Sequence, residues 1–184
     1  PRVPPNTPAK EDCIWWRNDY FIIKESALGG LGAFAAIDLD EGATILEELP
    51  LLRTNIWDVH NQFESLNDED RELLFSLHKY HPNPEAHVFD KIRKANSFRV
   101  TDGVTMYSVT SRFNHACLPV RNVSYEIDER RGGKITLTML QDVAKGTELT
   151  ICYGGTPESL LKNFGFRCQC GGCTPLTDEE VEKM

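Results

Sequence analysis

The sequence predicts one mainly β domain made of small sheets, with a helical insert in its middle and a cysteine-rich closing segment. Short runs of alternating apolar residues, bounded by glycine and proline, occupy both ends of the chain. Between about residues 57 and 95 the apolar residues recur instead at helical spacing. Three cysteines then crowd into the stretch RCQCGGC at 167–173. With 184 residues, 40% of them hydrophobic, the chain can build one sizeable core.

The charge balance and the apolar runs limit the classes of protein. The formal net charge of -8 argues against direct binding to the phosphates of nucleic acid and suits a basic peptide partner. No apolar run approaches the length of a membrane span, and the first residues, PRVPPNTPAKED, contain no apolar signal core. We therefore expect an intracellular protein, in the nucleus or the cytoplasm, that binds neither nucleic acid directly nor a membrane.

The first predicted strands lie before the insert. Residues 1–19 form a polar leader, and YFIIKES at 20–26 has the composition of a strand. GGLGAFAA at 29–36 predicts a tight turn, because glycine tolerates unusual backbone angles. ATILEELPLLRT at 43–54 predicts further strand that is broken by Pro50, since proline cannot donate to a ladder.

The helical insert is read from its capping and stop signals. Asn67 or Asp68 can cap a first helix, and HPNP at 81–84 ends that segment. A second helix is predicted over about 85–95. Because strands bracket this block, we place it inside a single domain that spans residues 20–166.

Strands resume after the insert. Segments 97–100 and 105–109 have strand composition, and VSYEIDERRGGKITLTML at 123–140 predicts a hairpin that turns at RRGG. KGTELTICYG at 145–154 predicts the last strand, and ESLLKNFGF at 158–166 predicts a short helix. The cysteine segment and an acidic tail then close the sequence.

Metal binding explains the crowded cysteines better than disulfides do. Cys168 and Cys170 are too close in sequence to bridge each other easily, and the chain offers no secretory signal. Zinc takes four soft ligands in a tetrahedron, and the glycines of CGGC allow Cys168, Cys170 and Cys173 to face one ion. We therefore assign residues 167–175 to a zinc-binding segment and residues 176–184 to a solvated acidic tail.

The fourth ligand is open among three other cysteines and five histidines. Cys152 lies in the apolar strand LTICYG and has the pattern of a small buried filler, whereas Cys13 sits in the polar leader. Cys117 closes FNHAC near a proline, where the chain must leave regular structure, and this position favours it as the ligand. Reduced structural thiols without metal are the alternative.

The glycine-rich segment formally matches a dinucleotide-binding fingerprint through Gly30, Gly32 and Ala35. That fold needs a long helix at this point, whereas a turn at 38–42 and another strand follow here. The context therefore rejects the dinucleotide interpretation. The segment still indicates that the backbone at 30–33 can approach a ligand closely.

Five motifs in order carry a family resemblance: GGLGAFAA, NSFRV, SRFNHAC, ELTICYG and CQCGGC. They resemble the SET domain of protein lysine methyltransferases, most closely the branch with a long helical insert typified by SET-and-MYND proteins and their fungal relatives. The resemblance covers residues 20–175, and the sequence contains no set of cysteines and histidines that matches a MYND finger. It implies a β-clip-type SET fold of small sheets, with a C-terminal pseudoknot and a post-SET zinc knot.

The resemblance also implies a function. Proteins of this kind are S-adenosylmethionine-dependent protein lysine N-methyltransferases, so the expected partner is a basic lysine-containing protein or peptide, histone or non-histone. Tyr153 matches the catalytic tyrosine beside the transferring methyl group. One structural zinc ion is expected on four ligands: Cys117, Cys168, Cys170 and Cys173.

The same resemblance assigns residues to two neighbouring sites. The cofactor-binding positions are Gly30, Leu31, Gly32, Ala33, Asn96, Ser111, Asn114, His115 and Phe166. The substrate-channel positions are Tyr107, Ile151 and Phe164.

Three positions depart from the family pattern. Val120 stands where the family has asparagine, unless Val120 and Arg121 are an insertion before Asn122. Thr147 replaces one acid of a Gly-Glu-Glu sequence, and Ile151 replaces an aromatic residue that influences the number of methyl groups. These departures leave the substrate and the product open. They also motivate an alternative, a SET-derived module that binds cofactor or peptide as a scaffold, or acts on a small molecule, without methylating protein.

Overall fold

The computed structural model describes residues 14–55 and 57–184, which form three small sheets and five helices. The strands are β1 (Trp16–Arg17), β2 (Phe21–Glu25), β3 (Leu31–Ala35), β4 (Thr44–Glu48), β5 (Leu52–Thr54), β6 (Phe98–Val100), β7 (Gly103–Met106), β8 (Asn114–His115), β9 (Val123–Asp128), β10 (Lys134–Met139) and β11 (Glu148–Ile151). The helices are α1 (Val59–Glu64), α2 (Asp68–Phe75), α3 (Val88–Asn96), α4 (Pro157–Phe164) and α5 (Asp178–Glu182). The predicted mainly β class with a helical insert is confirmed. None of the helices in these ranges is long and apolar enough to cross a membrane.

The largest sheet brings distant motifs side by side, in the order β1-β2-β3-β11-β8. β3 pairs antiparallel with β11, and Ala33 faces Leu149. β8 runs parallel to β11, so Asn114 lies beside Thr150. The glycine-rich strand and the Asn-His strand therefore flank the same short strand near the C-terminus. Of the predicted leader at 1–19, residues 1–13 lie outside the described part of the chain, and β1 pairs with β2.

The other two sheets have the orders β4-β10-β9 and β5-β7-β6. In β10, Ile135, Leu137 and Met139 are buried and alternate with half-buried residues, as expected for a strand with one face on the core. They pack in a cluster with Phe21 and Phe113, whose rings meet edge to face at 5.1 Å. This main core holds the large sheet against the β4-β10-β9 sheet.

The segment GGLGAFAA differs from the predicted tight turn. The turn lies earlier, where the Ser26 amide donates to the Gly30 carbonyl at 2.9 Å and Gly29 and Gly30 have φ of 116° and 60°. Most of the segment is strand β3 instead. Gly32 in this strand is packed closely, and a Cβ on it would lie 2.3 Å from the Glu148 carboxylate. Small residues are typical of turns, but they also occur in a strand that is packed closely, so the sequence alone does not distinguish the two.

The insert contains three helices where two were predicted. A break after α1 is followed by Asn67, whose side chain accepts from the Asp70 amide at 2.8 Å and starts α2. The last helix, expected over 85–95, begins later because His87 caps it by accepting from the Phe89 amide at 3.3 Å. Phe89 then stacks on Phe63 of α1 at 4.2 Å within a second cluster of buried apolar residues. This second core joins the insert to the β5-β7-β6 sheet, since Leu52 of β5 and Met106 of β7 belong to it.

The acidic tail contains a short helix, α5, where a solvated end was expected. Thr177 and Glu180 form a capping box, and three acidic residues occupy the first turn, where the helix dipole favours negative charge. Asp178 pairs with Arg167, and Leu176 is buried. Capping and one apolar anchor therefore order a segment that looks solvated by composition.

Candidate active site

A hydrogen-bonded carboxylate ties together the three strands that carry the predicted cofactor motifs. The Asn114 amide of β8 donates to Glu148 of β11 at 2.7 Å and to the Leu31 carbonyl of β3 at 3.2 Å. Glu148 also accepts from the Ser26 hydroxyl at 2.8 Å. Gly32 lies against this network, with no room for a side chain. Sequence reasoning did not assign Glu148, although it is the acid that remains in the sequence GTE.

His115 connects the cysteine segment to the loop of Tyr153. It is buried, and burial lowers its pKa. Its Nδ1 accepts from the Tyr153 amide at 3.0 Å, while its Nε2 lies 3.4 Å from the Cys117 sulfur. A neutral imidazole that accepts at Nδ1 carries its proton on Nε2. His115 can therefore donate a hydrogen bond to the Cys117 sulfur. A thiolate that binds a metal can accept such a hydrogen bond.

Three aromatic rings cluster around Tyr153. Its ring lies 5.0 Å from Phe164 and 5.2 Å from His115, and the ring of Phe166 lies 6.0 Å from His115. The Tyr153 hydroxyl donates to the Phe113 carbonyl at 2.7 Å. Burial, assisted by the charge of Glu148, raises the pKa of Tyr153. The phenol is therefore neutral at physiological pH and is held in one orientation.

A cavity of about 210 Å³ opens beside this cluster. It brings together five of the predicted residues from four separate segments. These residues are Asn96, Ser111, Ile151, Tyr153 and Phe164. The predicted positions on β3 and β8 do not line this cavity. They lie on the neighbouring strands of the large sheet, next to the Glu148 network.

Tyr107 lies elsewhere than the channel position expected for it. It is fully buried in the main core, and its hydroxyl donates to the Gly133 carbonyl at 2.6 Å. Burial raises its pKa. Because its hydroxyl is satisfied inside the protein, we assign Tyr107 to the core and leave it out of the proposed site.

Eight of the thirteen lining residues were not predicted from the sequence, among them Phe98, Tyr125 and Cys152. Tyr125 and Phe98 line the cavity and meet edge to face at 5.3 Å. Cys152, expected to be a buried filler, is half-buried and lines the same cavity. Phe98 belongs to the NSFRV motif, which was a usable signal. Tyr125 sits within a regular hairpin, where alternation alone does not reveal which strand borders a cavity.

The four cysteines assigned to zinc converge. The sulfurs of Cys117, Cys168, Cys170 and Cys173 all lie within 4.8 Å of one another, and those of Cys117 and Cys168 are 3.9 Å apart. A tetrahedral zinc ion with Zn–S bonds of about 2.3 Å requires sulfurs about 3.8 Å apart, so the cluster could hold such an ion. Cys13, another candidate for the fourth ligand, lies outside the described residues.

The cluster also contains hydrogen bonds that favour an ionised thiol. The amides of Cys117 and Gly172 donate to the Cys170 sulfur at 3.3 and 3.4 Å. Burial opposes ionisation, but these amides and the neighbouring thiols outweigh it and lower the pKa of Cys170 to about 7. Thiolate is the form that binds metal, so the surrounding of Cys170 suits a ligand, whereas burial raises the pKa values of Cys117 and Cys168.

The departure at Val120 has a local structural reason. The amides of Val120 and Arg121 both donate to the Cys117 carbonyl at 3.0 Å, which closes a turn after the motif cysteine. Asn122 then lies buried, donates to the Glu148 carbonyl at 2.9 Å and accepts from the Thr150 amide at 2.7 Å. The turn therefore leads from the motif cysteine to a buried, hydrogen-bonded Asn122, an arrangement that is compatible with an insertion of Val120 and Arg121 before the asparagine.

Comparison with known proteins assigns most of the chain to one family. The family model of the SET domain matches residues 30–154. The histone-lysine N-methyltransferase set5 of Schizosaccharomyces pombe is 27% identical over 84% of this chain and 50% of its own length. The protein-lysine N-methyltransferase SMYD4 of Mus musculus is 32% identical over 45% of this chain and 10% of its own length.

A solved structure that matches this chain has a lower sequence identity than these two relatives. The polycomb repressive complex 2 of Chaetomium thermophilum matches with a TM-score of 0.44 and 21% identity, over 74% of this chain and 15% of that chain. The family assignment rests on the sequence match and not on this superposition. The chain spans half of the length of the set5 relative and a much smaller share of SMYD4. The chain belongs to the SET domain family.

Proposed function

We propose that this chain is an S-adenosylmethionine-dependent protein lysine N-methyltransferase. One observation carries the proposal: the oriented, neutral hydroxyl of Tyr153 lies in an aromatic cluster beside a cavity that can admit a narrow side chain. The Asn-His strand β8 ends beside Tyr153, and the glycine-rich strand β3 lies on the other side of β11. The names of the set5 and SMYD4 relatives support the same activity.

The residues of the large sheet fit the methyl donor. S-adenosylmethionine supplies an activated methyl group on a sulfonium. A Cβ on Gly30 would meet no atom within 4 Å, so the turn before β3 is open to a ligand, whereas Gly32 keeps β3 tight against Glu148. We assign the donor to the positions named from the sequence: Gly30, Leu31, Gly32, Ala33, Asn96, Ser111, Asn114, His115 and Phe166.

The cavity suits the acceptor as a neutral amine. Methyl transfer requires a free amine lone pair, and lysine has a pKa near 10.4 in water. None of the described residues that line the cavity is Asp or Glu, and Arg99 adds a positive charge. Desolvation by aromatic walls and a nearby cation both disfavour the protonated amine. Tyr153 can then orient the amine through its oxygen, because it donates its own proton to Phe113.

The finer assignments follow from the same site. The cysteine cluster holds one structural zinc ion, because four thiols at this spacing match its preferred coordination. The partner is a basic lysine-containing protein or peptide, histone or non-histone, which suits the net charge of -8. We propose a nuclear or cytoplasmic location. Direct binding to nucleic acid or to a membrane forms no part of the proposed function.

Labelled methyl transfer tests the activity. The chain is incubated with tritiated S-adenosylmethionine and either mixed histones or lysate proteins, and the protein fraction is hydrolysed to identify methyl-lysine. Labelled methyl-lysine that requires the chain supports the proposal. Label confined to small molecules would support the alternative SET-derived module. Absence of any label, while the chain binds S-adenosylmethionine, would identify a binding module.

The pH profile gives a further prediction. Because the pKa of Tyr153 is raised, its phenol stays protonated across the usual assay range. We expect kcat/KM to rise between about pH 7 and 9.5 as more substrate lysine becomes neutral, with no fall from ionisation of Tyr153. The measurement is kcat/KM against pH, with circular dichroism as a check on folding. A descending limb below about pH 9.5 in a folded protein would contradict the assignment.

Gly32→Ala tests the tight packing of β3. The new methyl would displace Glu148 from Asn114 and Ser26, so we expect donor affinity to fall by at least about tenfold and stability by about 1–3 kcal/mol. Calorimetric titration and thermal denaturation measure these effects.

The matched control is Gly42→Ala. Gly42 has φ of 82°, and a Cβ on it would meet no atom within 4 Å, so alanine there costs about 1–2 kcal/mol in strain alone. It should lower the melting temperature and leave donor affinity unchanged. Equal loss of affinity in both variants would mean that destabilisation, and not the Glu148 network, explains the effect.

A further inference from the structure

Two buried hydroxyls in the described part of the protein have no hydrogen-bond partner, and both line the same cavity. They belong to Ser97 and Ser111. The other buried unpartnered side-chain atoms in the described ranges are guanidinium nitrogens. A buried hydroxyl without a partner costs stability, so natural proteins rarely keep one without a reason. Two of them at one cavity of about 210 Å³ point to a ligand site there.

The fold does not need either hydroxyl. Ser97 ends α3 through its backbone, since its amide donates to the Arg93 carbonyl at 3.1 Å. Ser111 lies in a short turn that is fixed by Glu48, which accepts from the amide and hydroxyl of Thr110 at 2.8 and 2.7 Å. Both serines are therefore positioned by contacts that do not use their hydroxyls, which leaves the hydroxyls available to a ligand.

Asn96, another polar residue of the cavity, restricts the chemistry of the ligand. Asn96 donates both amide hydrogens, to the carbonyls of His78 and Ile92 at 2.8 and 2.7 Å. Only its carbonyl oxygen is left, and it can only accept. The Asn96 oxygen, two hydroxyls that can accept, and the absence of a carboxylate among the described lining residues favour a ligand group with N–H donors. The lining cation Arg99 favours that group as a neutral amine. Aromatic walls suit the alkyl chain that would carry such an amine.

We propose that Ser97 is a positioning residue whose hydroxyl, together with that of Ser111, accepts hydrogen bonds from an amine of a bound substrate. This inference rests on the proposed function and extends it, because Ser97 was not among the assigned site residues. The amine has two possible sources with the same chemistry: the α-amino group of S-adenosylmethionine or the ε-amino group of the target lysine. The experiment distinguishes them.

Ser97→Ala is the central variant. Removal of an unpartnered buried hydroxyl relieves a cost in the unliganded protein, so the melting temperature should stay the same or rise. Binding should weaken about five- to tenfold, in line with the loss of one hydrogen bond to the ligand. If the amine belongs to the donor, the Kd for S-adenosylmethionine rises in calorimetry. If it belongs to lysine, that Kd is unchanged and KM for a labelled histone peptide rises at saturating donor.

Two further variants separate hydrogen bonding from volume and from folding. Ser97→Cys keeps the size of the side chain but is a poor hydrogen-bonding group, so it should show the same loss as alanine. Ser124→Ala removes a half-buried hydroxyl that donates to the Thr138 carbonyl at 3.3 Å. It should leave both Kd and KM unchanged and should not raise the melting temperature.

The outcomes are distinct from those of the proposed function. If the wild type methylates lysine but Ser97→Ala retains its Kd and KM, the role of Ser97 is overturned and the function stands. A lower melting temperature with unchanged binding would show a structural role and would also overturn it. A wild type that neither binds S-adenosylmethionine nor methylates the peptide overturns the function together with this inference.

Discussion

Cys168→Ser is expected to release the metal and to destabilise the chain more than the loss of any single hydrogen bond would. Cys168 is 2% exposed, and its sulfur is 3.9 Å from that of Cys117. Serine does not ionise at neutral pH and is a poor ligand for zinc, so the remaining three thiols bind the ion weakly. Structural zinc contributes about 10–16 kcal/mol of apparent binding free energy in small domains. That is comparable with the whole stability of a typical domain, about 5–15 kcal/mol.

Metal content and thermal denaturation measure this effect. We expect about one zinc per chain in the wild type and none in Cys168→Ser, since four thiols complete one tetrahedral site. A loss of even about 4 kcal/mol would lower the melting temperature by roughly 8–16 °C for a chain of this size. Cys152→Ser is the control, because Cys152 is half-buried outside the cluster. A metal-free wild type with the same melting temperature as Cys168→Ser would remove zinc from the structure.

Tyr153→Phe is expected to lower kcat by about 10²-fold or more while the Kd for S-adenosylmethionine stays within about twofold. The hydroxyl is the only group removed, and it is the group we assign to orienting the amine and the methyl. The variant also loses the hydrogen bond to the Phe113 carbonyl at 2.7 Å, which costs about 1 kcal/mol. Single-turnover methyl transfer and calorimetry measure the two effects separately.

Tyr107→Phe is a matched control for this variant. It makes the same chemical change and also breaks a buried hydrogen bond to a carbonyl, that of Gly133 at 2.6 Å. Because Tyr107 lies in the main core, we expect a similar fall in melting temperature without a loss of kcat. If both variants lose activity equally, the loss follows from destabilisation and Tyr153 has no special role. Full activity of Tyr153→Phe would contradict its assignment directly.

Local patterns were sufficient for most of the fold. Strand runs and turn signals indicated the hairpin at 123–140, which the structure contains as β9 and β10. Capping chemistry identified the start of α2 at Asn67. The errors occurred where a tertiary contact overrides a local pattern. The glycines and alanines of 29–36 indicated a turn, but Gly32 lies in a strand and lacks a side chain because Glu148 packs against it. A rule based on neighbouring residues in the sequence cannot include a contact with a residue more than a hundred positions away.

The candidate site, like the fold, could be predicted from the sequence only in part. Most of the residues assigned from the motifs lie in one region of the structure. A motif identifies each residue together with its sequence neighbours, which a single position does not. The assignment failed for Tyr107, whose side chain lies in the core, and it passed over Glu148 and Ser97, although these residues lie within the motifs ELTICYG and NSFRV. Glu148 acts through Ser26 and Asn114, which are far from it in sequence. Ser97 is distinguished only by an absent partner, which becomes visible only in three dimensions.

A calorimetric titration with S-adenosylmethionine tests most directly whether β3, β8 and the aromatic cluster form a methyl-donor site. The zinc-loaded wild type and Asn114→Ala are titrated in parallel, with melting temperatures measured for both. Asn114 links Leu31 to Glu148, so its loss should weaken binding by at least about tenfold in a chain that still folds. We expect saturable binding at one site in the wild type. No binding by the folded wild type, or equal binding by Asn114→Ala, would contradict the proposed site.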